Sequence, residues 1–327
     1  MEEQPASHFT VATARARAAM MSGIREFFSR RGVLEVETPV LGRAASTDCH
    51  IDLFRSGYVP SGSADGVSAE EQCYLQTSPE LFMKRLLAGG FPDIFQIGKV
   101  FRNGELGRLH NPEFTMLEWY RRGFDMFRLI DETVGLLREI CGIEHAYLRT
   151  YREQILRTTG LDPLAVDAGD LENFIKKRYG QDVRFATVTD GLQYVMAVIV
   201  EPALPQNELT VIHHYPREQA VLSMVDPEDT RVARRFEVYG GGMELANGFE
   251  ELADGTENRR RMQLENRLRN RCGKSPVPLD ECFLAALEEG GGLPPCSGVA
   301  VGLDRAFMCR QGASAISEVV SFGWKKR

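Results

Sequence analysis

The stretch FRNGELGRLHNPEFTMLEWY, Phe101 to Tyr120, restricts what this chain can fold into more than any other. The segment Asp93–Arg102 (DIFQIGKVFR) predicts a strand, and Phe114–Arg121 (FTMLEWYR) predicts a second, rich in aromatic residues. Glycines, an asparagine and an Asn-Pro pair lie between them; these are turn residues, so the two strands should form a hairpin. Side chains alternate across a strand. Gln96 and Arg102 therefore share one face of the first strand, and Met116, Glu118 and Tyr120 share one face of the second. Burying an arginine, a carboxylate and a phenol is costly unless each charge is met. This face is expected to hold a charged ligand; the plainer reading is a surface hairpin with a solvated face.

Composition narrows the class. The chain has 327 residues, enough for one large or two modest domains. Hydrophobic residues make up 43% and charged residues 26%, the balance of an ordinary globular chain. No apolar run approaches a membrane span, and the acidic, polar start MEEQPASHFT is not a secretory signal. Seven cysteines, odd in number and without a CxxC pair, suggest reduced thiols in a cytoplasmic protein, not a disulfide framework or a zinc site. A net charge of −7 argues against a protein given over to nucleic acid, without precluding a local basic patch.

Along the chain, Ala12–Arg31 reads as a helix ending at Gly32, followed by an extended segment over 33–41 that ends near Thr38-Pro39. Ser56–Gln72 reads as a polar, Gly- and Ser-rich loop. Ser78 and Pro79 predict a helix start, with Ser78 as N-cap, and Gly89-Gly90 its end. Residues 125–200 read as mostly helical, and Asn258–Arg271 as a strongly basic helix. His213 and His214 lie in an apolar run and are expected to be structural. Seven basic side chains over 259–274 are either a solvated helix face or a docking surface for an acidic partner.

The hairpin EVYGGGME raises a question of register. A two-residue turn at Gly240-Gly241 would place Glu237 directly opposite Glu244. Like charges so placed repel, and a divalent cation between them would remove the repulsion. Two oxygen ligands suit Mg2+. The alternatives are a mildly repelling exposed pair, or a different register.

The segments VETPVL (Val36–Leu41), Phe101–Tyr120, and CSGVAVGLDRAFM (Cys296–Met308), with RFEVYGGGMELANGFEEL (Arg235–Leu252), together resemble motifs 1, 2 and 3 of the class II aminoacyl-tRNA synthetases. HNPEFTMLEWY, ELANGFEEL and GVAVGLDR resemble the lysyl branch. The resemblance extends from about Val11 to the C-terminus. It implies an α+β fold: a class II synthetase catalytic domain, with a mixed, mainly antiparallel sheet flanked by helices. It also implies a homodimer built on the first helix and strand. Residues 1–327 are expected to form one such domain without an anticodon-binding domain, since only about ten residues precede the first helix.

The resemblance further implies ATP and Mg2+ as cofactors, and activation of an amino acid as its adenylate. Arg102 would bridge the substrate carboxylate and the α-phosphate, as a planar guanidinium can, with Arg305 near the phosphates. Asn103, Gly104, His110, Asn111, Glu244, Leu245 and Gly302 fall at ATP-binding positions, and Glu237 and Glu244 at the metal pair. Ser78, Pro79, Glu80, Glu118, Tyr120, Asn247, Glu251 and Ala300 fall at substrate positions. Three carboxylates, a phenol and an amide suit a ligand with two ammonium groups, lysine or β-lysine. Two positions depart from the lysyl-tRNA synthetases. Ala300 stands where they carry Gly, which would crowd an α-amine and favour a β-amine. Gly104 stands where they carry Glu, a role Glu105 could take. Ala300 and the missing anticodon-binding domain match a paralogous family, the ligases that acylate a lysine of elongation factor P. That factor is then the expected acceptor, with tRNA and membranes not expected as partners. The rival readings are a stand-alone aminoacyl transferase charging tRNA or a small molecule, and a non-catalytic amino-acid sensor.

Overall fold

The computed structural model describes residues 9–60, 70–288 and 291–324. Its strands are β1 (Leu34–Glu35), β2 (Leu41–Gly42), β3 (Arg55–Tyr58), β4 (Glu71–Leu75), β5 (Ile94–Phe101), β6 (Glu113–Arg122), β7 (Ala146–Thr150), β8 (Leu209–Pro216), β9 (Val232–Gly240), β10 (Met243–Glu250) and β11 (Cys296–Gly302). Its α-helices are α1 (Val11–Ser29), α2 (Glu80–Ala88), α3 (Met126–Cys141), α4 (Tyr151–Thr159), α5 (Ala168–Tyr179), α6 (Val188–Val195), α7 (Gly255–Arg271), α8 (Glu281–Glu288) and α9 (Leu303–Gln311). The larger sheet has the strand order β1-β5-β6-β11-β10-β9-β8-β7, mainly antiparallel, with β1·β5 and β7·β8 parallel. This is an α+β fold. The chain divides into two units: one comprises residues up to Gly123, Leu252–Cys296 and Ala300 onward, the other Phe124–Glu251 and Ser297–Val299.

In the first unit, Thr10 caps α1 by accepting from the Thr13 N–H, and the helix buries Ile24, Phe27 and Phe28. Phe28 stacks on Phe95 of β5 at 4.5 Å and meets Trp119 of β6 edge-on at 5.2 Å. Phe95 and Trp119 are therefore core on this side of the sheet, leaving the other face for Gln96, Glu118 and Tyr120. The β5·β6 register runs from Ile94↔Tyr120 to Phe101↔Glu113. The first strand thus stops one residue short of the expected Arg102. The extended segment 33–41 divides between two sheets: Leu34–Glu35 joins β5, while Leu41–Gly42 joins a three-stranded sheet ordered β2-β4-β3. Thr38-Pro39 separates the two, and a proline cannot donate to a ladder.

The expected loop Ser56–Gln72 is a hairpin at its ends, since Ser56 pairs with Cys73 and Gly57 with Gln72. Its middle, 61–69, lies outside the described residues. The polar composition hid these strands because β3 is exposed throughout and so shows no apolar alternation.

The second unit contains β7–β10, α3–α6 and Ser297–Val299 of β11. Its core joins Tyr151, Ile155, Leu171, Ile175, Leu192, Val195 and Val200 to Ile212, Tyr215 and Tyr239 of the sheet. Capping boxes open α4, α5 and α6, with side chains of Thr150, Asp167 and Thr187 accepting from N–H groups three residues on. Residues 125–200 are mostly helical as expected, interrupted by β7, and Met196–Val200 continues α6 as a π-helical segment.

Candidate active site

In the first unit, α2 and β6 present a wall of acidic groups. The structure makes Pro79 the N-cap of α2, one residue later than the expected Ser78. Ser78 still serves this end: its Oγ accepts from the Glu80 N–H at 3.0 Å and donates to Glu118 Oε2 at 2.9 Å. Tyr120 donates to Glu118 Oε1 at 2.7 Å; the two share a face because they are two residues apart on β6. Glu118 is 3% exposed, and burial, aided by the charge of Glu80, pushes its carboxyl up to about 8. Lys84 donates to Glu80 Oε1 at 2.6 Å from one turn further along α2, where it is fully buried. Across the ladder from Glu118 lies Gln96, also buried, with an amide oxygen that has no hydrogen-bond partner. The wall can receive a cationic group: a carboxylate, a second carboxylate beside it, and oriented hydroxyls. Sequence reasoning missed Lys84. The signal was available in Glu80 and Lys84 at i, i+4 on a helix whose other residues are mostly apolar.

Arg102 lies just past β5. Its N–H donates to Pro112 O at 2.9 Å, its guanidinium lies over the Phe114 ring at 5.2 Å, and its buried Nε has no hydrogen-bond partner. Glu105 approaches it at 3.8 Å. Gly104 has φ +80, a left-handed conformation that glutamate would adopt only under strain, and the neighbouring acid Glu105 is the one that approaches Arg102. Asn103 is exposed and joined to Asp52 by a backbone bridge.

Arg305, on the first turn of α9, contacts His110 Nε2, and burial together with that guanidinium lowers the His110 pKa. Asp304 orients this helix: buried, it accepts from the Thr115 N–H at 2.9 Å and from Arg17. Asn111 is buried, donates to Glu113 O and accepts from the Trp324 N–H at 3.0 Å, so it shapes the turn between the strands. Ala300 and Gly302 lie two apart on β11, both half-buried, and Gly302 is the N-cap of α9.

The second unit carries the other acidic group, in a register that corrects the expected one. Met243 pairs with Gly240, so the turn is Gly241-Gly242, both at positive φ (59° and 73°) as a type I′ turn requires. Glu244 consequently faces Tyr239, and Glu237 faces Asn247, not Glu244. Glu244 and Asn247 are three apart and would point to opposite faces of a regular strand. The register shift between Glu244 and Ala246, a bulge at Leu245, returns them to one face. Glu237 and Glu244 share a face diagonally, because Tyr239, opposite Glu244, lies two residues from Glu237 on β9.

Glu237 accepts from Tyr215 and Arg235 at 2.6 Å each, and from Tyr239. Burial and the Glu237 charge hold both phenols well above their usual pKa, so they remain donors. The Glu244 N–H donates to the Glu201 carboxylate at 3.3 Å. Asn247 Oδ1 is buried without a partner, and Glu251 is 4% exposed. Two carboxylates on one face offer the oxygen ligands that a hard cation such as Mg2+ takes, with Glu237 here engaged by Arg235 and the two phenols.

These motifs occur in a recognisable setting. A family model, tRNA synthetases class II (D, K and N), matches residues 7–326. This chain belongs to that family. Within it, the chain is 44% identical over 313 residues to an elongation factor P–(R)-β-lysine ligase of Yersinia enterocolitica, covering 94% of this chain and 93% of the relative. It is 45% identical over the same length to the ligase of that name from Klebsiella pneumoniae, and 44% identical to that of Yersinia pestis. Use of ATP is general in class II synthetases.

Other titratable clusters offer less. His213 and His214 contact one another beside Asp226, and burial, reinforced by His214, lowers His213 to about 4. Asp48, Cys49 and Glu265 converge, but burial and the two acids push the Cys49 thiol up to about 12, which disfavours a thiolate ligand. Much of the basic run is engaged: Arg259 with Glu281, Arg260 and Arg261 with Glu257, Lys274 with Asp52. Arg269 is buried and donates to the carbonyls of Asp48, Ile51 and Ser275. It is a structural strut, which leaves Arg267 and Arg271 as the exposed arginines in the second half of α7.

Among the described residues no helix is long and apolar enough to cross a membrane.

Proposed function

We propose that this protein is an ATP-dependent ligase that activates lysine or β-lysine as its adenylate and transfers the acyl group to a lysine of elongation factor P. The buried Glu118, held between two hydroxyl donors beside Glu80, carries the reading: it is an acid built to receive an ammonium. Near-full-length similarity to ligases of that name supports the acceptor. In the first step, a substrate carboxylate oxygen bonds to the α-phosphorus of ATP, and the bond to the pyrophosphate oxygen breaks. Arg102 neutralises charge building on the carboxylate and α-phosphate, and Arg305 with His110 stabilises the phosphate side. Glu237 and Glu244 would hold Mg2+, which supplies charge neutralisation to the triphosphate. In the second step the acceptor amine attacks the acyl carbon, AMP leaves, an amide forms and the amine loses a proton.

Asn247 and Glu251 keep the substrate role expected of them from sequence, as Ser78 and Pro79 do by shaping the start of α2. Asn103, Gly104 with Glu105, Asn111, Leu245 and Gly302 keep theirs towards ATP. The whole chain acts as one catalytic domain, as a homodimer in the cytoplasm.

The deciding experiment incubates the protein with ATP, radiolabelled lysine or β-lysine, and either elongation factor P or total tRNA. Label is expected in elongation factor P. Label in tRNA alone would replace this reading with an aminoacyl-tRNA synthetase, and no adenylate at all would leave an amino-acid sensor.

Ala300→Gly tests the amine position. One methyl is worth roughly 1–3 kcal/mol of fit. The variant is therefore expected to shift the ratio of kcat/KM towards α-lysine by about tenfold or more. An unchanged ratio would remove Ala300 from specificity.

A further inference from the structure

Lys84 belongs to no expected site, yet it is among the largest fully buried side chains of the protein, and lysine is rarely so placed. Its Nζ lies 2.6 Å from Glu80 Oε1. The charges of Glu80 and of Lys84 both act on Glu118, in opposite directions. The wall therefore contains two carboxylates and one resident ammonium. Without Lys84, the half-buried Glu80 and the buried Glu118, once both ionised, would demand two cations. With it, ionising Glu118 leaves one net negative charge, which a single ligand ammonium meets as the Glu118 proton departs.

We propose that Lys84 is a positioning residue that sets the amino-acid specificity of this wall: it fixes the Glu80 carboxylate and cancels its charge, so that the Glu118–Tyr120–Ser78 group receives a single ammonium. The inference rests on the proposed function, since it presumes an amino-acid substrate. It goes further in assigning the wall one ammonium of a diamino acid, so the other must be met elsewhere. The Glu80–Lys84 pair alone would be consistent with a purely structural ion pair. Removing one partner of such a pair is destabilising in either role, so the two roles are separated by the KM for the amino acid set against the KM for ATP.

The experiment measures ATP–pyrophosphate exchange with lysine and β-lysine for the wild type, Lys84→Met and Lys84→Arg, with thermal unfolding and ATP binding as checks on the fold. In Lys84→Met the KM for the amino acid is expected to rise at least about tenfold, with kcat and the KM for ATP little changed. Lys84→Arg should recover much of the loss, because it restores the charge. If Lys84→Met proves unstable, Lys84→Gln, which keeps a donor without the charge, serves in its place. An amino-acid KM that is unchanged or lower in a folded neutral variant overturns the proposal, as does a parallel rise in the KM for ATP. Absence of amino-acid-dependent exchange in the wild type would instead overturn the functional reading, so the two failures are distinguishable.

Discussion

Arg102→Ala should reduce amino-acid-dependent ATP–pyrophosphate exchange by about two to three orders of magnitude, the usual effect of removing a donor aimed at developing charge. The fold should survive. The contacts of Arg102 are a 3.8 Å approach to Glu105, a ring face and one backbone hydrogen bond that alanine retains. A part-exposed pair of this kind contributes little to stability. Its buried Nε has no hydrogen-bond partner, as expected of a group that meets its partner only in a ligand. Arg102→Lys should recover little, because a point charge cannot hold two oxygens in the geometry of a guanidinium. Exchange near the wild-type rate in the alanine variant would withdraw the assignment.

Glu118→Gln should separate function from stability. Burial, then the charge of Glu80, pushes the Glu118 carboxyl up to about 8, against the lowering effect of hydrogen bonds from Tyr120 and Ser78. In the unfolded chain the group titrates near 4.5. The folded state therefore holds a proton that the unfolded state releases. The associated stability is fully present below about 4.5 and is lost as pH rises towards about 8. Glutamine keeps the shape and removes this loss. The variant should match the wild type in thermal unfolding at pH 4 and exceed it at pH 8.

Amino-acid binding should move the other way. A bound ammonium favours the ionised carboxylate, so the wild type should release a proton on binding at pH 7 and bind more tightly as pH approaches 8. Losing one partner of a buried charge pair costs about 2–5 kcal/mol, so affinity in the variant should fall by roughly 30-fold or more. Calorimetry in buffers of different ionisation enthalpy would register both effects. Equal affinity in variant and wild type would mean that Glu118 does not meet the ammonium.

The two acidic groups differ in how far they could be foreseen. Glu118 and Tyr120 share a face because alternation along a strand is local, so their pairing was legible once FTMLEWYR was read as a strand. The same local rule placed Glu237 and Glu244 directly opposite each other, and there it failed. Three consecutive glycines allow the turn to form at either of two positions, and the chain adopts Gly241-Gly242. The bulge at Leu245 then places Asn247, in the position Ala246 would otherwise take, opposite Glu237. Neither choice has a signature in residue type, because bulges are settled by which side chains the neighbouring strands can bury.

The chain by itself determined the hairpin of Phe101–Tyr120, the helix start at Ser78-Pro79-Glu80 and the residue types gathered around charged chemistry, and its resemblance to the class II synthetases implied the α+β class. Periodicity, turn residues and motif order are properties of nearby positions, and a sequence displays them directly. Tertiary structure alone decided that Arg269 is a buried strut, not part of a docking face, and that Asp304 anchors the helix bearing Arg305. It also decided that residues 33–41 serve two sheets, and that Lys84 is buried against Glu80. Each of these depends on what lies across from a side chain many positions away. Burial and the company of other charges set the cost of a charge, and so its role, and neither can be read from the residue's own stretch of chain.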